Sequence, residues 1–284
     1  DMELAALHHS LQRFFADVAQ FPRPIKVQDV TSSRLCDFDE LPARVRTKLA
    51  DMAKRAVSEV MGESQPGSEP AAPDLVIVTD DVELANVGQE QVILENVRRA
   101  FQEALKDRRA EEQRCPLCGA FCRADLRQQH ARTLVKTRCS FHLLCPMTDV
   151  YFFGEPTALT RATIQRAARR APGDVEDFQT DDVDYQASVA RLHPDDETKW
   201  QWHMRHPKSY LKFLCEPGFY RETREGKEAL SALDWGAVLK PAGEARLARS
   251  LFDDLAAGLG CNNPCAGVCH PLTVQRTTGV LRNL

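Results

Sequence analysis

Seven potential metal ligands fall within thirty-one residues of this chain: Cys115, Cys118 and Cys122, followed by His130, Cys139, His142 and Cys145. No other stretch constrains the fold as strongly, because side chains that converge on one ion must be brought together whatever the neighbouring elements do. The segment Cys115-Pro116-Leu117-Cys118 is a Cys-x2-Cys knuckle, short enough for two sulfurs to reach one Zn2+ from a single tight turn. Twenty residues separate it from Cys139-x2-His142, a spacing similar to the second half of a Cys-x2-Cys-x20-Cys-x2-His site. The simplest closure is therefore one zinc ion held by Cys115, Cys118, Cys139 and His142.

Other readings of these residues stand beside that one. A redox-active Cys-x2-Cys pair belongs between a strand and a helix of a βαβ unit, whereas Cys115 follows the polar run from Arg108 to Arg114. Cys122 suits either a third ligand or a small apolar filler, and His130, after Gln128 and Gln129, either a ligand or an exposed polar side chain. The order Cys115, Cys118, Cys139, His142, Cys145 is also that of a RING finger, the zinc module of many ubiquitin ligases. Thr148 then stands where cysteine is wanted and no Cys-x2-Cys pair follows, so a cross-braced second site lacks ligands. An atypical RING-like ligase is accordingly the alternative, not the leading expectation.

With 284 residues, 43% hydrophobic and 27% charged, the chain has the composition of an ordinary globular protein with one large core or two smaller ones. It contains no apolar run of membrane-spanning length and no charged-then-apolar signal segment, and its start at Asp1 without methionine suggests a fragment or processed product. Ten cysteines clustered with histidines favour metal binding in a reducing compartment, cytoplasmic or nuclear, over a disulfide framework. A net charge of -4 offers nucleic acid no global attraction, although local basic faces could still exist, and a ligand set without accompanying catalytic groups makes a protein partner or self-assembly the favoured interaction.

Periodicity predicts a mainly α protein with a small zinc-stabilised α+β insert between helical N-terminal and C-terminal parts. Residues 1–110 form the helical first part, with helices over Met2–Val18, after Asp39 towards Gly62, and over Gln89–Arg109, and a Gly/Ser/Pro-rich loop at 63–73. Residues 111–155 make the zinc module, which ends in an expected strand over Val150–Phe153. Leu75–Val78 reads as a short strand or as the start of the next helix. Residues 156–284 are a helical C-terminal region: a Thr157–Ala171 helix bearing Arg161, Arg166, Arg169 and Arg170, an aromatic segment at Trp200 and Trp202, and a helix through Leu247, Leu251 and Leu255. The arginines could serve nucleic acid, a third functional class, but a solvated face needs no ligand, and the acidic stretch Asp174–Asp184 could neutralise it. At the Cys-rich end, Cys261, Cys265, Cys269 and His270 suit a second metal site, ligands for the first, or cysteines sharing one helical face without metal, although Pro264, Gly267 and Pro271 argue against a regular helix.

The leading helix with its Phe21-Pro22 exit, the Asp39–Gly62 segment and Cys115-Pro116-x-Cys118-x-Ala120-x-Cys122 together resemble the C-terminal tail of the interferon-inducible very large GTPases and the related up-regulator of cell proliferation. Trp200 and Asp234-Trp235 are similar to that family's tryptophan-bearing helical end. The resemblance implies a zinc-bearing tail with a GTPase domain upstream, and a role in cell-intrinsic immunity. The family usually follows its knuckle with several histidines and a His-Arg-Pro-x-Gly element, where this chain has His130, Cys139 and His142. GTP hydrolysis does not carry over, since no Gly-x4-Gly-Lys-[Ser/Thr] loop is present. No His-Glu-x2-His helix or deaminase pattern occurs either, so no catalytic residue is assigned. The expected function is a non-catalytic zinc-binding module for assembly or partner recognition.

Overall fold

A computed structural model describes residues 7, 9–11, 13–14, 39, 42–62, 76–81, 90–106, 114–144, 147–161, 166–215, 221–259, 281 and 284. The protein is mainly helical, with one two-stranded sheet among the described residues. The 63–73 loop, Cys145 and the cysteines from 261 onward, with His270, lie outside the described residues. No described helix is long and apolar enough to cross a membrane.

Helix α1, Ala43–Val60, buries Leu49, Met52, Ala53, Ala56, Val57 and Val60 on one face. It starts at Pro42, whose carbonyl accepts from the Val45 and Arg46 amides, and it ends where Gly62 turns to φ 69°, a left-handed conformation that glycine adopts without a Cβ penalty. Strand β1, Val76–Asp81, leads to helix α2, Glu90–Lys106, which packs Ile93, Val97, Phe101 and Leu105 against α1. Helix α3, Ala124–Arg138, then feeds directly into strand β2, Cys139–Leu144. The strands pair in parallel from Val76 opposite Cys139 to Asp81 opposite Leu144. Parallel strands need a long crossover, and here the crossover is α2, the Cys115–Cys122 knuckle and α3.

The remaining chain builds a second core. Residues Thr148–Gly154 form a 3-10 helix, not the expected strand: its run of four bulky residues buries Val150, Tyr151 and Phe152 together, which alternation on a strand would not do. Around it pack α4 (Pro156–Arg161), α5 (Val183–Leu192), α6 (Glu197–Arg205), α7 (Pro207–Leu214), α8 (Lys227–Ser231), α9 (Trp235–Val238) and α10 (Arg246–Leu259). Fully buried Trp235 packs at a tilt against Tyr151 and Phe252 and donates its indole N–H to Ser10. Leu7, Leu11 and Phe14 therefore join this C-terminal core, while Leu281 joins the first. Both ends of the chain thus cross between the two halves.

The basic helix expected over Thr157–Ala171 is not formed as such. Helix α4 ends at Arg161 and residues 166–170 are irregular. Arg161 donates to the Ala232 carbonyl at 2.6 Å, Arg170 pairs with Glu244 at 3.1 Å, and Arg166 lies over the Phe213 ring. The acidic stretch is mostly structural as well, with Asp174 and Asp182 accepting backbone amides at the starts of the next turns.

Candidate metal centre

The knuckle closes by two backbone hydrogen bonds: the Cys115 amide donates to the Ala120 carbonyl at 2.9 Å, and the Gly119 amide donates to the Cys115 carbonyl at 2.7 Å. Between them Gly119 sits at φ 71°, where a side chain would be strained although nothing lies within 4 Å of a Cβ placed there. Gly119→Ala should accordingly weaken metal retention by a left-handed penalty of roughly 1–2 kcal/mol, and Gly119→Asn by less. Chelator competition on the two variants checks this; equal retention by the Gly119→Ala variant and the parent protein would remove the strain argument.

The turn and the start of α3 bring four ligand atoms together. Cys115, Cys118, Cys122 and His130 offer atoms that all lie within 4.8 Å of one another. His130 Nδ1 is 3.3 Å from Cys115 Sγ and 3.5 Å from Cys122 Sγ, and the Cys118 and Cys122 sulfurs are 3.3 Å apart. Tetrahedral zinc with ordinary Zn–S and Zn–N bonds separates its ligands by about 3.5–3.8 Å, so these spacings fit one ion with little adjustment. Cys122 stands just before α3 and His130 lies two turns into it, on the side shared with buried Arg127, Ala131 and Leu134. That helical register turns the imidazole toward the sulfurs.

Electrostatics point the same way. Cys115 and Cys122 are buried, and Cys118 is exposed. Burial pushes the Cys122 thiol up to about 12, with the neighbouring sulfurs adding to the rise. The Cys118 thiol is held below its ordinary range by a backbone hydrogen bond at Ala120 and by Cys122. Three sulfurs this close cannot all ionise without a cation among them, and a metal ion at this position would supply it. No disulfide links the described cysteines.

Cys139 and His142, expected to complete the site, stand elsewhere. Both lie on β2, and side chains three apart on a strand point to opposite faces. Cys139 and Phe141 face the first core, where burial alone raises the Cys139 thiol to about 12. Ser140 and His142 face α10, where Ser140 Oγ lies 2.6 Å from His142 Nε2 and donates to Asp254 Oδ2 at 2.5 Å. Asp254 is also 3.2 Å from the same Nε2, while His142 Nδ1 is buried without a hydrogen-bond partner among the described residues. A hydrolytic triad needs its carboxylate on the other ring nitrogen, so this trio is a buried polar tie between β2 and α10.

Spacing alone does not decide whether Cys122 and His130 are ligands. The signal for them was the helical period: positions 127, 130–131 and 134 share one face of α3, so His130 points inward despite its glutamine neighbours.

No protein-family model matches the chain, and comparison with curated proteins and with solved structures returned no match, so the functional reading rests on this geometry.

Proposed function

We propose that the protein is a non-catalytic zinc-binding module, holding one Zn2+ through Cys115, Cys118, Cys122 and His130, and serving assembly or partner recognition. The observation that carries this reading is the closed Cys3His set itself. Four protein ligands leave no position for water or substrate, which is the arrangement of structural zinc, whereas catalytic zinc keeps a position open. Thiolate-rich tetrahedral sites favour Zn2+ over the harder divalent cations. The resemblance to the tail of the very large GTPases supports a part in cell-intrinsic immunity, in a reducing compartment where thiols persist.

A RING-like ligase reading draws less support, because Cys139 and His142 diverge across β2 instead of converging on a second ion. Elemental analysis of the purified chain should find one zinc per molecule, and Cys115→Ser and Cys122→Ser should each abolish stoichiometric retention. Full retention in both variants would reject the site. Zinc-dependent discharge of ubiquitin from charged conjugating enzymes would replace the non-catalytic reading by the ligase.

A further inference from the structure

We infer that the outer face of the knuckle binds single-stranded nucleic acid, with Phe121 as a base-stacking platform and Arg114, Arg123 and Arg132 as phosphate contacts. The inference rests on the proposed metal site to the extent that the ion holds the knuckle in shape.

Turning Cys115 and Cys122 inward leaves the intervening side chains outside. Phe121 is 64% exposed, Leu117 43% and Leu126 42%, three of the six large apolar side chains that the described surface displays. Apolar side chains exposed together on one short segment mark a contact surface more than ones scattered singly, which are ordinary. The Arg114 guanidinium lies 5.9 Å from the Phe121 ring centroid, so a planar cation and an aromatic face stand side by side.

Charge is mostly basic along this segment: of the six Lys/Arg in residues 114–138 Arg127 is buried, which leaves five at the surface against a single acidic residue, Asp125, within a chain of net charge -4. Arg114, Arg123 and Arg132 are exposed and form no ion pair with a described residue, unlike Arg99, Arg170 and Arg246. Arg132 and Lys136 lie one turn apart along α3, which extends the basic track away from the knuckle.

Single-stranded nucleic acid suits this surface better than an acidic protein does. A stable protein interface engages about 20–30 residues on each side, more than a knuckle loop and one helix face present. A single strand needs less, since each nucleotide offers a phosphate to a guanidinium and a π-face to an exposed ring. Sequence-tolerant binding is expected, because stacking does not read base edges.

The test is fluorescence anisotropy of the zinc-loaded full chain with an oligothymidylate and an oligouridylate of about 16 nucleotides, titrated from about 50 to 200 mM salt. Three phosphate contacts predict a slope of log affinity against log salt of about -2, and Arg123→Ala or Arg132→Ala should each flatten it by about 0.7. Phe121→Ala should weaken binding by about five- to 150-fold, with zinc content unchanged because the exposed ring is not one of the four ligands. Zinc retained without single-strand binding overturns the inference and leaves the metal reading standing. Sub-stoichiometric zinc with Phe121-dependent binding intact overturns the metal reading instead. Two further results would also overturn the inference: duplex bound as tightly as single strand with no loss in Phe121→Ala, or poly-L-glutamate displacing the oligonucleotide at equal charge concentration. The second would assign the face to acidic protein.

Discussion

Removing the zinc, by chelation or by Cys122→Ser, is expected to unfold the layer built from α1, α2 and α3 and not only the knuckle. Cys115 and Cys122 are members of the same buried cluster as Leu49, Val57, Val97, Phe101, Leu134 and Phe141. The knuckle also lies within the crossover that holds β1 beside β2, so its collapse frees both helices that flank it. Apparent zinc-binding free energies of about 10–16 kcal/mol in zinc-finger peptides match or exceed the roughly 5–15 kcal/mol by which a typical domain is stable. Hydrogen exchange should show amides in 49–61, 93–105 and 131–141 losing protection on metal removal, with 183–214 keeping theirs. Unchanged protection across the first group after complete removal would contradict a structural ion. Lowering the pH should also weaken zinc binding, because protons compete for the sulfurs and burial holds the Cys122 thiol up at about 12.

Glu176→Ala should be the most damaging change in the C-terminal half. Its buried carboxyl accepts from the Leu247 amide at 2.7 Å, the Ala248 amide at 2.9 Å and the Tyr151 hydroxyl at 2.9 Å, joining the start of α10 to the 3-10 segment. Alanine would remove the acceptor of the buried Ala248 amide, the part-buried Leu247 amide and the Tyr151 hydroxyl, at roughly 1–3 kcal/mol for each donor left unsatisfied, and a loss of about 3–5 kcal/mol is expected once the site relaxes. Burial, with the Asp174 charge adding to it, raises the Glu176 carboxyl from its ordinary 4.5 to about 8. The folded state therefore binds the proton where the unfolded chain has released it. The stability this group contributes is full below about pH 4.5 and declines as pH rises toward 8, by at most about 1.4 kcal/mol per unit. Urea melts at about pH 5 and about pH 8 should show the parent losing stability relative to Glu176→Gln across that window. A pH-independent difference would mean that the carboxyl is ionised throughout.

Much of the helical architecture was legible because it rests on local spacing. The faces of α1 and α2 follow the 3.6-residue period of Leu49, Met52, Ala56 and Val60 and of Ile93, Val97, Phe101 and Leu105, and burial in the first core confirms both. The knuckle was legible for the same reason, since Cys-x2-Cys brings two sulfurs to one tight turn within four residues. Val150–Phe153 was not: four successive bulky residues lack a period, and only the enclosure of Tyr151 by Trp235 from far along the chain favours a 3-10 helix over a strand.

The sequence alone therefore determined which side chains could bind a metal, where the helices Ala43–Val60, Glu90–Lys106 and Arg246–Leu259 lie and which faces the first two bury, all of which depend on neighbours a few residues apart; Ala124–Arg138, which seats His130, was not among them. Tertiary structure decided which ligands meet. Cys139-x2-His142 has the spacing of a ligand pair on a turn, but β1 captures that segment as a strand, and the pleat sends the two side chains to opposite faces. His130 gains its place because α3 turns it toward the three sulfurs. The pairing of β1 with β2 joins residues more than sixty positions apart, and no local pattern encodes a contact that only the packed crossover brings about.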